Sequence, residues 1–225
     1  MRWDELLDAV GAEPIFESGL LLVGAVDRAD VARQLSRWVA SGKLTQLRRG
    51  LYAFCGVHAR GLRPLGPYEI ANRLVPGSYV SLTSVLARAG LIPEYVPVTT
   101  SITTGRPGLY VTPLGTFGYR HVKPAMFWGY ETTDAEPGVR TFSAEPEKAL
   151  VDLLYLEHDA ADSRYLEELR IQNADRLRLD LLKDMAARCG VKRVSRAVDW
   201  ITTRAREDLT AYTSFTMPAE QGALR

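Results

Sequence analysis

Apolar positions in the first fifty residues recur with two different periods. Trp3, Leu6, Leu7 and Val10 share one face of a predicted helix that Gly11 ends. Val31, Leu35 and Trp38 repeat that spacing and predict a longer helix over about 28–40, with Asp27 as its N-cap and Gly42 as its stop. At roughly 100° per residue, Arg33, Ser36 and Arg37 point away from this apolar face. Between the two helices, 12–16 reads as a connector or very short strand, 17–23 as a short helix and 24–26 as a tight turn. The period then changes to two: 43–47 alternates polar and apolar, Arg48-Arg49-Gly50 makes a turn, and 51–54 returns as a strand. Gly50 supplies the positive φ of that turn, while Trp38, Leu47, Leu51 and Tyr52 are expected in the core.

The stretch GVHARGLRPLG at 56–66 is rich in glycine and carries Pro64, which marks a boundary between domains. Pro67 then opens a helix at its first position; a strand segment follows at 79–80 and a helix at 84–89, closed by Gly90. From 95 to 143 Thr, Val, Tyr and Phe dominate, with Gly and Pro every few residues. Strands are expected near 97–103, 108–112, 115–122, 127–131 and 139–142, mostly antiparallel. Pro146 opens a helix flanked by Glu145 and Glu147, where the helix dipole favours negative charge; Ala149, Leu150, Leu153, Leu154 and Leu156 make it mostly buried. After a polar break at 158–163, helical patterns recur at about 164–172, 179–188 and 192–206. The expected fold is α+β: an N-terminal winged helix-turn-helix (1–57), then a mixed α/β C-terminal domain (66–209) with a mostly antiparallel sheet and terminal helices. A frayed tail (210–225) ends the chain.

Composition alters this picture little. Apolar residues make up 46% and charged residues 24% of the 225, as in an ordinary globular protein. No apolar run of about 18 residues predicts a membrane span, and the acidic start lacks the pattern of a signal peptide. Cys55 and Cys189 suit reduced thiols, so a cytoplasmic location is expected. Charge distribution alters it more. The net charge of +1 conceals a block at 28–49 with six Lys/Arg against one acid, and another at 164–206 with eleven against six. Such blocks attract a phosphate backbone.

A helix with a basic outer face followed by a hairpin with a basic tip is the layout of a DNA-binding winged helix. Arg33, Ser36 and Arg37 are candidates for bases or phosphates, and Arg28 for a phosphate near the helix start. Lys43, Gln46, Arg48 and Arg49 would lie along the sugar–phosphate backbone. The bland alternative is a solvated helix face. Arg188, Lys192, Arg193 and Arg196 form a second basic cluster, which either extends the DNA footprint, meets a partner or is simply solvated. Glu147, Lys148 and Asp152 are read as surface salt bridging.

Three stretches, RWVASGKLTQLRRGLYAF, YVSLTSVLARAGLIP and FSAEPEKALVDLLYL, together with the trailing LDLLKDMAARCGVKRVSRAVDWI, resemble the AbiEi family of antitoxins from type IV toxin–antitoxin systems. The resemblance covers about 30–205. It implies an N-terminal winged helix that binds repeats of double-stranded DNA in its own promoter and represses the operon. It also implies a C-terminal domain that helps neutralise a nucleotidyltransferase-like toxin, directly or indirectly. The alternatives are a solitary winged-helix regulator and an interaction module that binds its toxin directly.

No catalytic set competes with a binding role, so no enzyme is expected. Restriction-type nucleases need an acid followed by an Asp/Glu-x-Lys triplet to hold Mg²⁺ beside the attacked phosphate, and the chain has no such triplet. Walker A, G-x-S-x-G and G-x-G-x-x-G sequences are absent too. Cys55-x-x-His58 lacks further ligands nearby, and no metal or cofactor is implied.

Overall fold

Helix α1 (Trp3–Val10) starts where the Glu5 carboxylate accepts a hydrogen bond from the Arg2 backbone N–H at 2.8 Å, and it buries Leu6 and Val10. These observations come from a computed structural model, which describes residues 1–23, 27–136 and 139–215. The turn expected at 24–26 and the tail from 216 lie outside the described residues. Where a short helix is expected at 17–23, strand β1 (Ile15–Glu17) runs into a five-residue 3-10 turn, Ser18–Leu22. So short a segment, with Gly19 inside it, favours the tighter turn.

Helix α2 (Arg28–Ala40) begins as the spacing predicts, with the Asp27 carboxylate accepting from the Ala29 N–H at 2.8 Å. Val31, Leu35 and Trp38 are its buried stripe. Strands β2 (Leu44–Arg48) and β3 (Leu51–Phe54) form a hairpin closed by Arg49 and Gly50, the latter at φ 83°. β1 adds to the far side of β3, giving a three-stranded antiparallel sheet in the order β1-β3-β2. The apolar faces of both helices meet Phe16, Leu44, Tyr52 and Phe54 in one core. Trp3 packs edge-on against Trp38 and Phe54, with ring centroids 5.0 and 5.9 Å apart.

The chain divides into two compact units. The first comprises Met1–Val80, Pro97–His121 and Thr132–Phe142; the second comprises Ser81–Val96, Val122–Glu131 and the chain from Ser143 onward. The glycine-rich stretch 56–66 therefore lies inside the first unit. Helix α3 (Pro67–Leu74) follows it, with proline at the first position, where a missing N–H is harmless. Strand β4 (Ser78–Val80) leads to helix α4 (Thr83–Arg88), and the strands that come next are β5 (Val98–Thr103), β6 (Gly108–Thr112), β7 (Gly115–His121), β8 (Tyr130–Glu136) and β9 (Val139–Ala144). They form a six-stranded sheet ordered β6-β7-β5-β4-β9-β8. β5 and β7 are parallel, whereas β4–β5 and β6–β7 are antiparallel, so the sheet is mixed. The strand expected at 127–131 begins only at Tyr130. Pro124–Met126 is a 3-10 turn, and Gly129 at φ 72° breaks the extended conformation just before β8.

The second unit is mainly helical: α5 (Pro146–Leu156), α6 (Ser163–Glu168), α7 (Leu179–Cys189) and α8 (Lys192–Phe215). α6 stops short of the expected 172 because Arg170 and Asn173 adopt left-handed conformations, with φ of 46° and 51°. α8 continues beyond 206 to Phe215, into the stretch expected to fray from 210, since no Gly or Pro falls within 192–215. α5 packs against α4, α7 and α8 and so lies at the centre of this unit.

Glu147, Lys148 and Asp152 are not surface salt bridges. Their exposures are 1%, 0% and 0%. The dense apolar run on α5 turns every face inward, and the charged residues go with it. Lys148 pairs with Asp152 one turn on and donates to the Met126 carbonyl at 3.3 Å, while Ser81 Oγ donates to Asp152 Oδ2 at 2.8 Å. The Lys148 ammonium sits 4.6 Å from the Trp128 ring centroid. A Cβ on Gly129 would lie 3.0 Å from the lysine stem, so glycine is needed there for space as well as for its φ. Burial pushes the lysine below its ordinary range, opposed by the Asp152 charge. Glu147 accepts from the Arg178 backbone N–H at 2.8 Å and from its guanidinium at 3.0 and 3.2 Å. Burial alone would raise this carboxyl, but the Arg178 hydrogen bonds hold it below the usual range.

Two outcomes are expected. Asp152→Ala, which leaves Lys148 buried and uncompensated, costs about 3–5 kcal/mol in urea unfolding, whereas the paired change Lys148→Met with Asp152→Leu costs less. A folded pKa that is depressed gives stability above the ordinary Glu value of about 4.3, lost as the pH falls through the folded value. The melting-temperature gap between wild type and Arg178→Ala is therefore widest near neutral pH and narrows on acidification. A gap that widens in acid contradicts the role given to Glu147.

Candidate nucleic-acid interface

Burying Val31, Leu35 and Trp38 leaves the opposite face of α2 to solvent. Arg33, Ser36 and Arg37 are exposed there, and Arg28 is exposed in the first turn, beside the apolar face. Arg28 and Arg37 have no ion pair or side-chain hydrogen bond among the described residues. Arg33 pairs with Asp30 one turn earlier; both side chains are more than half exposed, so the pair is weak and easily exchanged for a phosphate. Ser36 Oγ donates to the Ala32 carbonyl at 2.9 Å, a bond within the helix that a stronger acceptor can replace.

The hairpin divides into free and committed residues. Arg49, at the turn, and Gln46, on β2, are exposed. Lys43 is half-buried, its ammonium 4.8 Å from the ring centroid of Trp3 on α1. Arg48 has another job. Its Nε donates to the Leu74 carbonyl at 2.9 Å, and its Nη2 donates to the Arg73 carbonyl at 3.3 Å and to Glu17 at 3.2 Å. It thus satisfies carbonyls at the C-terminal end of α3, where positive charge is favoured. Arg73 in turn donates to the Ile15 carbonyl in β1 at 3.3 Å. Arg63 bridges Glu13 at 2.7 Å and Glu69 at 2.6 Å. Three arginines therefore latch the three-stranded sheet and its approach to α3. Sequence patterning placed Arg48 at the tip with Arg49, because its partners lie 25 and 26 residues away and leave no periodic signal.

The second basic cluster is not one surface. Arg188 lies over the Trp128 ring, 4.2 Å from its centroid. Arg193 donates to the Tyr155 and Glu157 carbonyls at the end of α5. Lys192 and Arg196 are exposed and have no ion pair among the described residues. Elsewhere, the His58 ring packs edge-on against Trp3 at 5.1 Å. No group of three or more potential metal-binding side chains occurs among the described residues.

No protein-family model matches the chain, and no curated protein matches it significantly.

The division of arginines has a direct test. Arg48→Ala leaves the α3 carbonyls without their donor and costs about 1–3 kcal/mol in thermal or urea unfolding. Arg49→Ala stays within about 0.5 kcal/mol of wild type. Equal effects contradict the division.

Proposed function

We propose that the chain is a DNA-binding autorepressor and antitoxin whose first 55 or so residues act as a winged helix-turn-helix. The observation that carries this reading is the exposed pair Arg33 and Arg37 on the outer face of α2, with Arg28 exposed in its first turn and a two-residue hairpin turn bearing Arg49. The order α1, β1, 3-10 turn, α2, β2, β3, with β3 central in its sheet, supports it. In this reading α2 enters the major groove, where arginine is the commonest partner of guanine, and Arg49 and Gln46 meet the backbone beside it. The antitoxin role rests on the AbiEi-like stretches and assigns the second unit to countering a nucleotidyltransferase-like toxin. The protein acts by binding rather than by catalysis, in the cytoplasm; no described helix is long and apolar enough to cross a membrane.

Fluorescence anisotropy with duplex DNA from upstream of the gene tests the reading over a salt series. Binding is expected to weaken linearly in log–log form, by about 0.9 decades per decade of salt for each phosphate contacted. The double variant Arg33→Ala/Arg37→Ala loses about 1–3 kcal/mol for each base contact removed and discriminates poorly between upstream and scrambled duplexes. Unchanged affinity and selectivity in a folded double variant would remove α2 from the interface.

A further inference from the structure

The second unit holds a cavity of about 410 Å³ between α6, the loop that follows it and α8. Its floor is apolar: Leu166, Ile201 and Ala205 are each 3% exposed. Trp200 forms a half-buried wall. Arg170, Arg204 and Glu167 stand at the rim, and none has an ion pair or side-chain hydrogen bond among the described residues. A second cavity, of about 610 Å³ in the first unit, shows the opposite condition. There Arg63 and Glu69 bind each other, Arg73 binds the Ile15 carbonyl, and Asn72 binds the Phe142 backbone. The polar groups named in the larger cavity are bonded within the fold, whereas those at the rim of the smaller one are not, among the described residues.

Arg170 is also held in place. Its φ of 46° is a left-handed conformation that a non-glycine residue keeps only where its surroundings enforce it. The loop is pinned to the end of α4 by three bonds: Gln172 N–H to the Leu91 carbonyl at 2.9 Å, Asn173 Nδ2 to the Gly90 carbonyl at 2.8 Å, and Arg176 to the Ala89 carbonyl at 3.1 Å. Gly90 permits this approach, since a Cβ there would lie 2.9 Å from Arg176 Nη1. The fixed backbone sets where the Arg170 side chain starts, at the rim of the cavity.

We propose that this cavity binds a nucleoside monophosphate, with the base against Trp200 and the phosphate between Arg170 and Arg204. The volume falls in the range of small-ligand sites and suits one nucleotide. An indole face stacks a planar base, and two guanidiniums make charge-assisted bonds to phosphate. Glu167 accepts hydrogen bonds only, which fits sugar hydroxyls or a base amino group. The size of the cavity favours a single nucleotide over a nucleic-acid strand. The cavity shares no residue with the α2 surface, so DNA binding stands or falls separately.

The test is titration of the full chain with adenosine and guanosine 5′-monophosphates, followed by tryptophan fluorescence and calorimetry. A saturable signal with a dissociation constant between about 10 µM and 1 mM is expected. The fluorescence change disappears in Trp200→Phe. Arg170→Ala and Arg204→Ala each weaken calorimetric binding at least about tenfold, as does replacing the nucleotide by adenosine. Arg164→Ala, on α6 but outside the cavity, binds like wild type. Circular dichroism verifies that every variant is folded. The proposal is overturned by no saturable heat up to about 10 mM nucleotide, by equal affinity in the arginine variants, or by tighter binding of the acidic peptide EEWEE than of either nucleotide.

Discussion

Three arginines at the end and the approach of α3 hold the first unit together. Arg48 reaches out from the hairpin to the carbonyls of Arg73 and Leu74, Arg73 reaches back to Ile15 in β1, and Arg63 joins Glu13 to Glu69. A helix end leaves unpaired carbonyls that must find donors. Here the donors come from the three-stranded sheet, so ending the helix and docking the sheet are one event. Tyr119 adds a bond from the six-stranded sheet to the Ala71 carbonyl at 2.7 Å, and its burial pushes the phenol pKa well up. α3 thereby joins both sheets into one unit.

That constraint sorts the cations. An arginine bound to carbonyls in a partly buried place cannot also grip a phosphate without undoing the fold, so Arg48, Arg63 and Arg73 belong to the scaffold. Arg28, Arg33, Arg37 and Arg49 remain available, and Arg33 and Arg37 project from one helix face. The same sorting holds in the second unit. There Arg178 and Arg193 tie α7 and α8 to α5, whereas Arg170 and Arg204 line a cavity.

How much of this was legible in the sequence depends on the distance over which each signal acts. α2, its Asp27 cap, its basic outer face and the Gly50 turn are local, and periodicity revealed them. α6 looked longer than it is, because the left-handed Arg170 depends on bonds to residues 89–91. Lys148 and Asp152 looked like a surface pair at helical spacing; their burial depends on Ser81, Met126 and Trp128, which other segments supply. The stretch at 56–66 read as a linker from its glycines, yet Arg63 within it is among the most firmly held side chains of the first unit. The Trp200 cavity had no sequence signal, since its walls come from two helices and a loop.

Arginine-selective footprinting tests the central claim that the free and the committed arginines serve different ends. The full chain would be treated with phenylglyoxal, with and without duplex DNA from upstream of its gene, and modification read site by site by mass spectrometry. DNA is expected to protect Arg28, Arg33, Arg37 and Arg49 and to leave Arg48, Arg63 and Arg73 unchanged. Protection confined to the latch arginines, or none on α2, would contradict that claim.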